Sequence, residues 1–293
     1  MKSQYVCLSP AKINWFLHIT KKRADGYHDL STLFQFVSLA DELIFNPEQS
    51  GKINLTGDLS GTSVNDNLVY RAAKLIKPFA QNTHAGVSIN IKKVIPQGAG
   101  LGGGSSNAAS VLLMLNQIWQ AHLSIDKLAE LGQTLGADVP VFVRGETAFA
   151  TGTGDILTPA NITSQWLVLA IDKKCHISTA KMFAAENLNR SSTIVHPDQY
   201  SFANSHNDFE PIARTLYPSV AKTLDWLVEY APARLTGTGA CCFAVCESQQ
   251  HAQKIADSTP QGLTSYVVQT LPSSPVHKQI MEEFSSLTEP DYS

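Results

Sequence analysis

With 293 residues, the chain is long enough to bury a large core and to form two domains or one elaborate domain. Hydrophobic residues at 43% and charged residues at 16% fit a globular enzyme and exclude an intrinsically disordered chain. A net charge of −3 gives no global basic field, so neither nucleic acid nor an anionic membrane surface is an expected partner.

The sequence also predicts a cytoplasmic protein. It has no apolar run of about 18 residues that could cross a membrane. Its first residues lack the apolar core of a signal peptide, because Ser9, Pro10 and Lys12 interrupt it. The five cysteines show no C-x-x-C spacing, so we expect buried free thiols and no structural metal.

Alternating apolar residues predict strands over 12–20, 32–39 and 41–46, followed by a helix over 67–79 with Asn65 or Asp66 as its N-cap. Further predicted elements are a strand over 87–95, a helix with apolar positions from Ala108 to Trp119, a helix over 124–135, a strand over 166–171, a helix over 219–230, a cysteine-rich strand, a helix and a strand within 251–271, a short C-terminal helix and a polar tail. This order predicts an α+β fold with domains at 1–160 and 161–293.

The most informative segment is the glycine-rich loop at 96–107, which precedes a helix. Glycine permits positive φ and close backbone approach to a ligand, and the N–H groups and dipole of the first helical turn favour an anion. The segment therefore predicts a phosphate-binding loop, and the alternative is a flexible hinge before a core helix. Its residues are Pro96, Gln97, Gly98, Ala99, Gly100, Leu101, Gly102, Gly103, Gly104, Ser105, Ser106 and Asn107.

Two well-known phosphate loops do not fit. Gly98, Gly100 and Gly103 match G-x-G-x-x-G, but the preceding strand alternates as a half-exposed strand does, and a second helix follows where a dinucleotide-binding unit needs a strand. No lysine follows the glycines, so the Walker pattern is also absent.

Two segments carry residues suited to proton and phosphoryl transfer. Lys12 and Asn14 share the face of a strand opposite its apolar residues, about 7 Å apart. Asp138 precedes Pro140, as an N-cap aspartate would, and a carboxylate there could also accept the proton of an attacking hydroxyl. The residues alone leave open that Lys12 is a solvated lysine and Asp138 only a helix cap.

Two further loops carry candidate site residues. Tyr27 and His28 follow a polar turn and could be loop anchors or ligand contacts. Gly237 and Gly239 precede the cysteine-rich strand and could pack against phosphates or permit a tight turn.

The loop PQGAGLGGGSSNAA, with SPAKINWFL and LGADVPVF, resembles the superfamily of galactokinase, homoserine, mevalonate and phosphomevalonate kinases. This GHMP resemblance implies an N-terminal domain like the second domain of ribosomal protein S5 and a ferredoxin-like C-terminal domain. It implies ATP on the glycine loop, with Asp138 as the catalytic base and Lys12 as its partner. Mg²⁺ is expected from the chemistry, without clear protein ligands beyond Ser105 or Ser106.

The run RADGYHDLSTLFQ resembles one family within it, the 4-diphosphocytidyl-2-C-methyl-D-erythritol kinases of the non-mevalonate isoprenoid pathway. The resemblance implies that the 2-hydroxyl of that compound is phosphorylated. It assigns the substrate to Asn14, Tyr27, His28, Thr179 and Phe183, with the cytosine held by Tyr27, His28 and Phe183. It assigns the adenosine end of ATP to Asn67 and Lys93. The segment before Phe183, DKKCH, departs from the family's usual Pro-Gly turn.

Two alternatives remain at this stage. A sister kinase acting on mevalonate, homoserine or a sugar would lack the RADGYH segment. A non-catalytic nucleotide-binding protein would not need both Lys12 and Asp138. The expected partner is a small cytidine diphosphate-linked substrate, and the expected assembly is a monomer or weak homodimer.

Overall fold

The structure, a computed structural model, describes residues 2–59 and 61–284. Its strands are β1 (Tyr5–Lys22), β2 (His28–Glu48), β3 (Ile53–Gly57), β4 (Gly86–Lys92), β5 (Ala148–Thr151), β6 (Ile156–Pro159), β7 (Trp166–Ile171), β8 (Ala233–Leu235), β9 (Cys242–Cys246) and β10 (Thr264–Leu271). Its α-helices are α1 (Leu68–Ile76), α2 (Gly103–Ile118), α3 (Ile125–Gln133), α4 (Val139–Arg144), α5 (Thr179–Ala184), α6 (Glu210–Leu216), α7 (Pro218–Val228), α8 (Gln249–Asp257) and α9 (Pro275–Phe284).

One mixed sheet organises these elements. Its order is β3-β4-β2-β10-β7-β9-β8, with β1 and β5 also pairing with β2, and β6 with β5. The pairings between these strands are antiparallel except for β3 with β4. The long strand β2 therefore connects the two halves of the chain.

The first two strands are longer than predicted. β1 begins at Tyr5 and continues through Ser9 and Pro10, where its register with β2 shifts between Pro10 and Ala11. A β-bulge of this kind accommodates proline, so the prediction that the strand begins at residue 12 was wrong. The separate strands predicted at 32–39 and 41–46 form one strand, because β1 pairs along most of β2.

Helix α1 also differs at its ends from the prediction. Its N-cap is Asn67, whose Oδ1 accepts a hydrogen bond from the Val69 amide at 2.9 Å, and not Asn65 or Asp66. Asp66 instead accepts a hydrogen bond from the Ser63 hydroxyl at 2.7 Å. The helix ends at Ile76 and passes into a short 3₁₀ turn containing Pro78, which lacks the N–H that would continue the α-helix.

Helix α2 is buried around most of its circumference, whereas the periodicity predicted one apolar face. Four of its polar residues are buried with it: Ser106, Asn107, Ser110 and Asn116. Their side chains hydrogen-bond within the protein, as buried polar groups must to avoid a desolvation cost. The helix that follows the glycine loop is therefore held rigidly.

Two hydrophobic cores lie along the sheet. One surrounds α2 and includes Phe36 and Leu43 of β2, and the other includes Phe16 of β1 and most apolar residues of β7 and β9. Strands β1 and β2 contribute to both, so the division at residue 160 stays a prediction. The predicted C-terminal helix is α9, and the polar tail lies outside the described residues.

The five cysteines are free, as predicted. Four are buried and Cys175 is half-buried. Burial raises the pKa of Cys7 to about 12 and that of Cys246 to about 11, so these thiols stay protonated near neutral pH. No helix within residues 2–59 and 61–284 has the length and apolar character needed to span a membrane.

Candidate active site

The glycine loop lies between β4 and α2 and needs its glycines for two distinct reasons. Gly100 has φ +75°, and a Cβ there would lie 2.4 Å from the Thr236 carbonyl oxygen. Gly102, the N-cap of α2, has φ +71°, and a Cβ there would lie 2.8 Å from Cζ of Phe142. Both positions combine a left-handed backbone with close packing, which only glycine tolerates without strain.

The second glycine-containing turn, at Gly237, lies in close contact with Gly100 of the glycine loop. Thr236 and Gly237 belong to the segment for which the sequence allowed two interpretations, packing against phosphates or permitting a tight turn. A Cβ on Gly237 would lie 3.1 Å from the Gly100 carbonyl oxygen. This turn packs directly on the glycine loop and fixes its conformation.

A cavity, here called the loop cavity, opens along the glycine loop. Asn67 and Lys93 line it, so the structure brings the residues predicted for the adenosine end to the predicted phosphate loop. Ser106 is placed differently, since it is buried and its hydroxyl donates to the Pro10 carbonyl at 2.6 Å. The other lining residues are Asp58, Leu59, Thr62, Asp66, Leu68, Val69, Ile91, Pro96, Gln97, Gly98, Ala99, Gly100, Leu101, Gly102, Gly103, Gly104, Ser105 and Asn107.

A buried carboxylate that sequence reasoning missed holds one wall of this cavity. Asp41 is fully buried and accepts hydrogen bonds from the backbone amides of Val94 and Ile95 at 2.7 and 2.9 Å. It also pairs with the Lys93 ammonium and accepts from the Asn107 amide at 3.0 Å. The sequence did contain a signal for this role, because Asp41 is a charged residue at the start of the predicted apolar strand 41–46 and a buried charge needs partners.

The ammonium of Lys12 is buried and fully coordinated. The residue is 3% exposed, and its Nζ donates to Asn14 Oδ1 at 2.6 Å and to the Gly100 carbonyl at 3.1 Å. Asp138 Oδ2 lies 3.4 Å from the same nitrogen, and the Phe34 ring centroid lies 5.3 Å away. Lys12 is thus no solvated lysine, and its charge is fixed between the glycine loop and Asp138.

Asp138 occupies the N-cap position of α4 but does not cap it. Its backbone is α-helical, and its side chain makes no capping hydrogen bond, contrary to the expectation that it serves both roles. The carboxylate is 37% exposed and faces Lys12. An aspartate that is held by a lysine and still open to solvent can accept a proton from a bound hydroxyl.

A second cavity, here called the Lys12 cavity, adjoins the first. Gly100 and Gly102 line both cavities, so the two meet at the glycine loop beside Lys12 and Asp138. The remaining lining residues are Asn14, Leu17, Leu30, Phe34, Ala137, Thr153, Gly154, Thr179, Phe183, Phe209, Gly237 and Thr238.

Among the predicted substrate residues in this cavity, Asn14 is already engaged. Its Nδ2 donates to Thr32 Oγ1 at 2.8 Å while its Oδ1 accepts from Lys12. It therefore positions the Lys12 ammonium. The Thr179 hydroxyl lies 3.1 Å from that of Thr238, at the first turn of α5.

The predicted pyrimidine contacts separate into a pair of neighbouring rings, the buried His28 and the half-buried Phe183, and an exposed tyrosine. The ring centroids of His28 and Phe183 lie 5.0 Å apart, and His28 is 8% exposed. Tyr27 is 67% exposed and lines a surface cleft with Ala137 and Thr153, which also line the Lys12 cavity. The cleft beside Tyr27 therefore adjoins the Lys12 cavity.

The GHMP kinases N terminal domain matches residues 67–146, and the GHMP kinases C terminal domain matches residues 185–261. The chain is similar to the 4-diphosphocytidyl-2-C-methyl-D-erythritol kinases of Marinobacter nauticus, at 48% identity over 94% of this chain and 96% of the relative, and of Pseudoalteromonas atlantica, at 45% identity over 93% and 94%.

Solved structures agree with these matches. A crystal structure of 4-(cytidine 5′-diphospho)-2C-methyl-D-erythritol kinase superimposes with a TM-score of 0.79 at 31% identity, covering 91% of this chain and 99% of that one. A mevalonate kinase structure shares the fold, with a TM-score of 0.68 at 13% identity over 92% of this chain and 99% of that one. The predicted α+β GHMP-kinase fold is confirmed. The chain belongs to the 4-diphosphocytidyl-2-C-methyl-D-erythritol kinase family of GHMP kinases.

Proposed function

We propose that this chain transfers the γ-phosphoryl group of ATP to the 2-hydroxyl of 4-diphosphocytidyl-2-C-methyl-D-erythritol, in the non-mevalonate route to isoprenoid precursors. The observation that carries the proposal is the Lys12–Asp138 pair, 3.4 Å apart, where the loop cavity meets the Lys12 cavity. Donor and acceptor would approach each other at this junction.

ATP is assigned to the loop cavity, since GHMP kinases use it as phosphoryl donor. The left-handed glycines leave the loop backbone open to phosphate oxygens, and the amino terminus of α2 adds favourable partial charge. Asn67 and Lys93 are assigned to the adenosine end, where Asp41 fixes the Lys93 ammonium. Asn107 Oδ1, buried without a hydrogen-bond partner among the described residues, offers an acceptor to the nucleotide.

Asp138 is assigned as the general base. The acceptor hydroxyl gives its proton to the carboxylate as its oxygen bonds to the γ-phosphorus, and the bond from that phosphorus to the bridging oxygen breaks to leave ADP. Lys12 holds the carboxylate in place and stabilises negative charge on the transferring group. Asn14 and the Gly100 carbonyl fix the Lys12 ammonium.

Mg²⁺ belongs to the proposal. The described residues contain no group of three or more His, Cys, Asp and Glu side chains that could hold a metal. Mg²⁺ does not require such a group, because in kinases it binds largely through phosphates and water. Ser105 lines the loop cavity and could contribute its hydroxyl, whereas the Ser106 hydroxyl is engaged with Pro10. When bound, the metal neutralises phosphate charge.

The cytosine is assigned to Tyr27, His28 and Phe183, and Thr179 is assigned as a further substrate contact. A base can stack on an aromatic ring and be read through its edge by a neighbouring polar side chain. Such binding energy, remote from the reacting hydroxyl, would position that hydroxyl for transfer.

The experiment is an ATP-consumption assay on a panel of alcohols. It comprises 4-diphosphocytidyl-2-C-methyl-D-erythritol, the same methylerythritol phosphate without its cytidylyl group, mevalonate, homoserine and galactose. We expect efficient turnover of the first compound and very poor turnover of the others. Efficient phosphorylation of the truncated compound or of mevalonate would overturn the cytidine pocket and favour a sister kinase. The cytoplasmic location and the monomeric or weakly dimeric state remain predictions.

A further inference from the structure

Arg190 links His28 and Phe183, two of the residues assigned to the cytosine. The residue follows α5, and its guanidinium donates to the carbonyls of Phe183, Ala185 and Leu188 at 3.0, 2.8 and 3.0 Å. Its Nε donates to His28 Nε2 at 3.2 Å. One side chain thus ties the carboxyl end of α5 to the histidine ring. No sequence pattern pointed to Arg190.

This contact determines which nitrogen of His28 carries the proton. A guanidinium has only donors, so His28 Nε2 must present its lone pair to Arg190. Burial, followed by the positive charges of Arg190 and Lys22, lowers the pKa of His28, so the ring is neutral at neutral pH. A neutral ring that accepts at Nε2 carries its single proton on Nδ1. Among the described residues, Nδ1 of His28 makes no hydrogen bond, and the ring lies 5.0 Å from that of Phe183, which lines the Lys12 cavity.

Cytosine and uracil differ in what they present to such a donor. At N3, cytosine offers a lone pair and uracil an N–H. The Nδ1–H group of His28 can donate a hydrogen bond to N3 of cytosine, whereas it would face the N3–H donor of uracil. Two donors that face each other weaken binding, and this difference in binding free energy favours cytosine.

We propose that Arg190 is a positioning residue that fixes His28 as the Nδ1–H tautomer and thereby makes this kinase select cytosine over uracil in its substrate. The proposal rests on the proposed function, because it assumes that a pyrimidine binds beside His28 and Phe183. Arg190 acts through His28 and the end of α5.

The first test reads the tautomer without substrate. Protein labelled with ¹⁵N-histidine is studied by proton–nitrogen multiple-bond correlation NMR at neutral pH, and His28→Asn identifies the signal. We expect the Nδ1–H pattern in the wild-type protein and a shift toward Nε2–H, the form favoured in water, in Arg190→Met. A wild-type ring protonated on Nε2 would overturn the proposal, even if Arg190→Met failed to fold.

The second test compares kcat/KM for the cytidine substrate and its uridine counterpart. Leaving a buried hydrogen-bonding group mispaired should cost about tenfold or more, so Arg190→Met should reduce the cytosine preference by at least that factor. Arg190→Lys, which presents only donors, should restore part of the preference. An equal fall for both substrates would mark Arg190 as merely structural and overturn the proposal. Absence of turnover of the cytidine compound by the wild type would contradict the proposed function, while the tautomer measurement would still decide the role of Arg190.

Discussion

At the scale of single residues, the site depends on how one buried charge is satisfied. Lys12 has three N–H donors, and the structure supplies Asn14, the Gly100 carbonyl and Asp138 around them. A buried ammonium without such partners would carry a large desolvation cost. The same contacts leave Lys12 little freedom, so its charge is held where phosphoryl transfer would need it.

We therefore expect Lys12→Met to lower kcat by about 10²–10³-fold, the usual cost of removing one fixed electrostatic contact to a transition state. Affinity for an ATP analogue should change much less, because Lys12 is not among the residues that line the loop cavity. Lys92→Met, which removes an exposed lysine paired with Glu42, is the matched control and should keep wild-type kcat. Steady-state kinetics decide, and a Lys12→Met enzyme with normal kcat would refute the role of Lys12.

Tyr27 gives a second prediction at this scale. Tyr27→Ala should raise the KM for the cytidine substrate roughly tenfold or more, given about 1–3 kcal/mol for a base–aromatic stack. Its 67% exposure means that stability should hardly change. Tyr230→Ala, at another exposed tyrosine, should leave the KM for the cytidine substrate and the KM for ATP unaltered. An unchanged substrate KM in Tyr27→Ala would argue against stacking on this ring.

At the scale of elements, the glycine loop and α2 form one unit, and its glycines are not equivalent. A side chain at Gly103 would press on the core, since a Cβ there would lie 2.9 Å from Ile95 Cγ2. Gly104 is exposed, and its nearest neighbour would be Leu68 Cδ1 at an ordinary 3.5 Å. Gly104 is thus the position where a side chain can crowd the phosphates with little effect on folding.

We expect Gly104→Val to weaken binding of an ATP analogue without lowering the melting temperature appreciably. Gly102→Ala should lower the melting temperature, because it combines positive φ with a clash against Phe142. Calorimetric titration and thermal unfolding of both variants provide the comparison. Unchanged nucleotide affinity in Gly104→Val would favour a hinge over a phosphate loop.

The same elements show what the sequence can and cannot reveal. The glycine loop was recognisable because its chemistry is local, with positive φ, small residues and a following helix in one segment. Asp41 and Arg190 were missed because the partners of Asp41, and the His28 partner of Arg190, lie far along the chain. The start of β1 was missed because a β-bulge admits Pro10, and the cap of α1 was misplaced because several neighbouring polar residues could serve.

At the scale of the whole molecule, the site gathers distant segments. Lys12 comes from β1, Asp138 from the start of α4 and Phe183 from α5. The turn at Thr236 and Gly237 packs on the glycine loop. Because β1 and β2 contribute to both hydrophobic cores, the base and the glycine loop rest on a shared scaffold. Such rigidity favours the fixed geometry that phosphoryl transfer needs.

Buried histidines predict how stability depends on pH. Burial lowers the pKa of His18, His28 and His277, whose unfolded value is about 6.5. Just below that pH, the unfolded chain binds more protons than the folded one, so stability should fall as pH drops through about 6.5.

The urea midpoint should therefore be lower near pH 5.5 than near pH 7.5, at values chosen to bracket the ordinary histidine pKa of about 6.5. His277→Gln should weaken this dependence, because the amide can keep the hydrogen bond to the Val143 carbonyl but does not titrate. An equal or higher midpoint at the acidic pH would contradict the assignment of these rings as neutral in the folded protein.

The central claim is that Asp138 takes the proton of the acceptor hydroxyl, and the most direct measurement is kcat of Asp138→Asn on 4-diphosphocytidyl-2-C-methyl-D-erythritol. The amide keeps the size of the side chain but cannot accept the proton as a base. We expect kcat to fall by about 10²–10⁴-fold or more, with fold and ATP-analogue affinity nearly intact. A variant that retained more than about a tenth of wild-type kcat would contradict the assignment, since general-base catalysis contributes at least about 10²-fold.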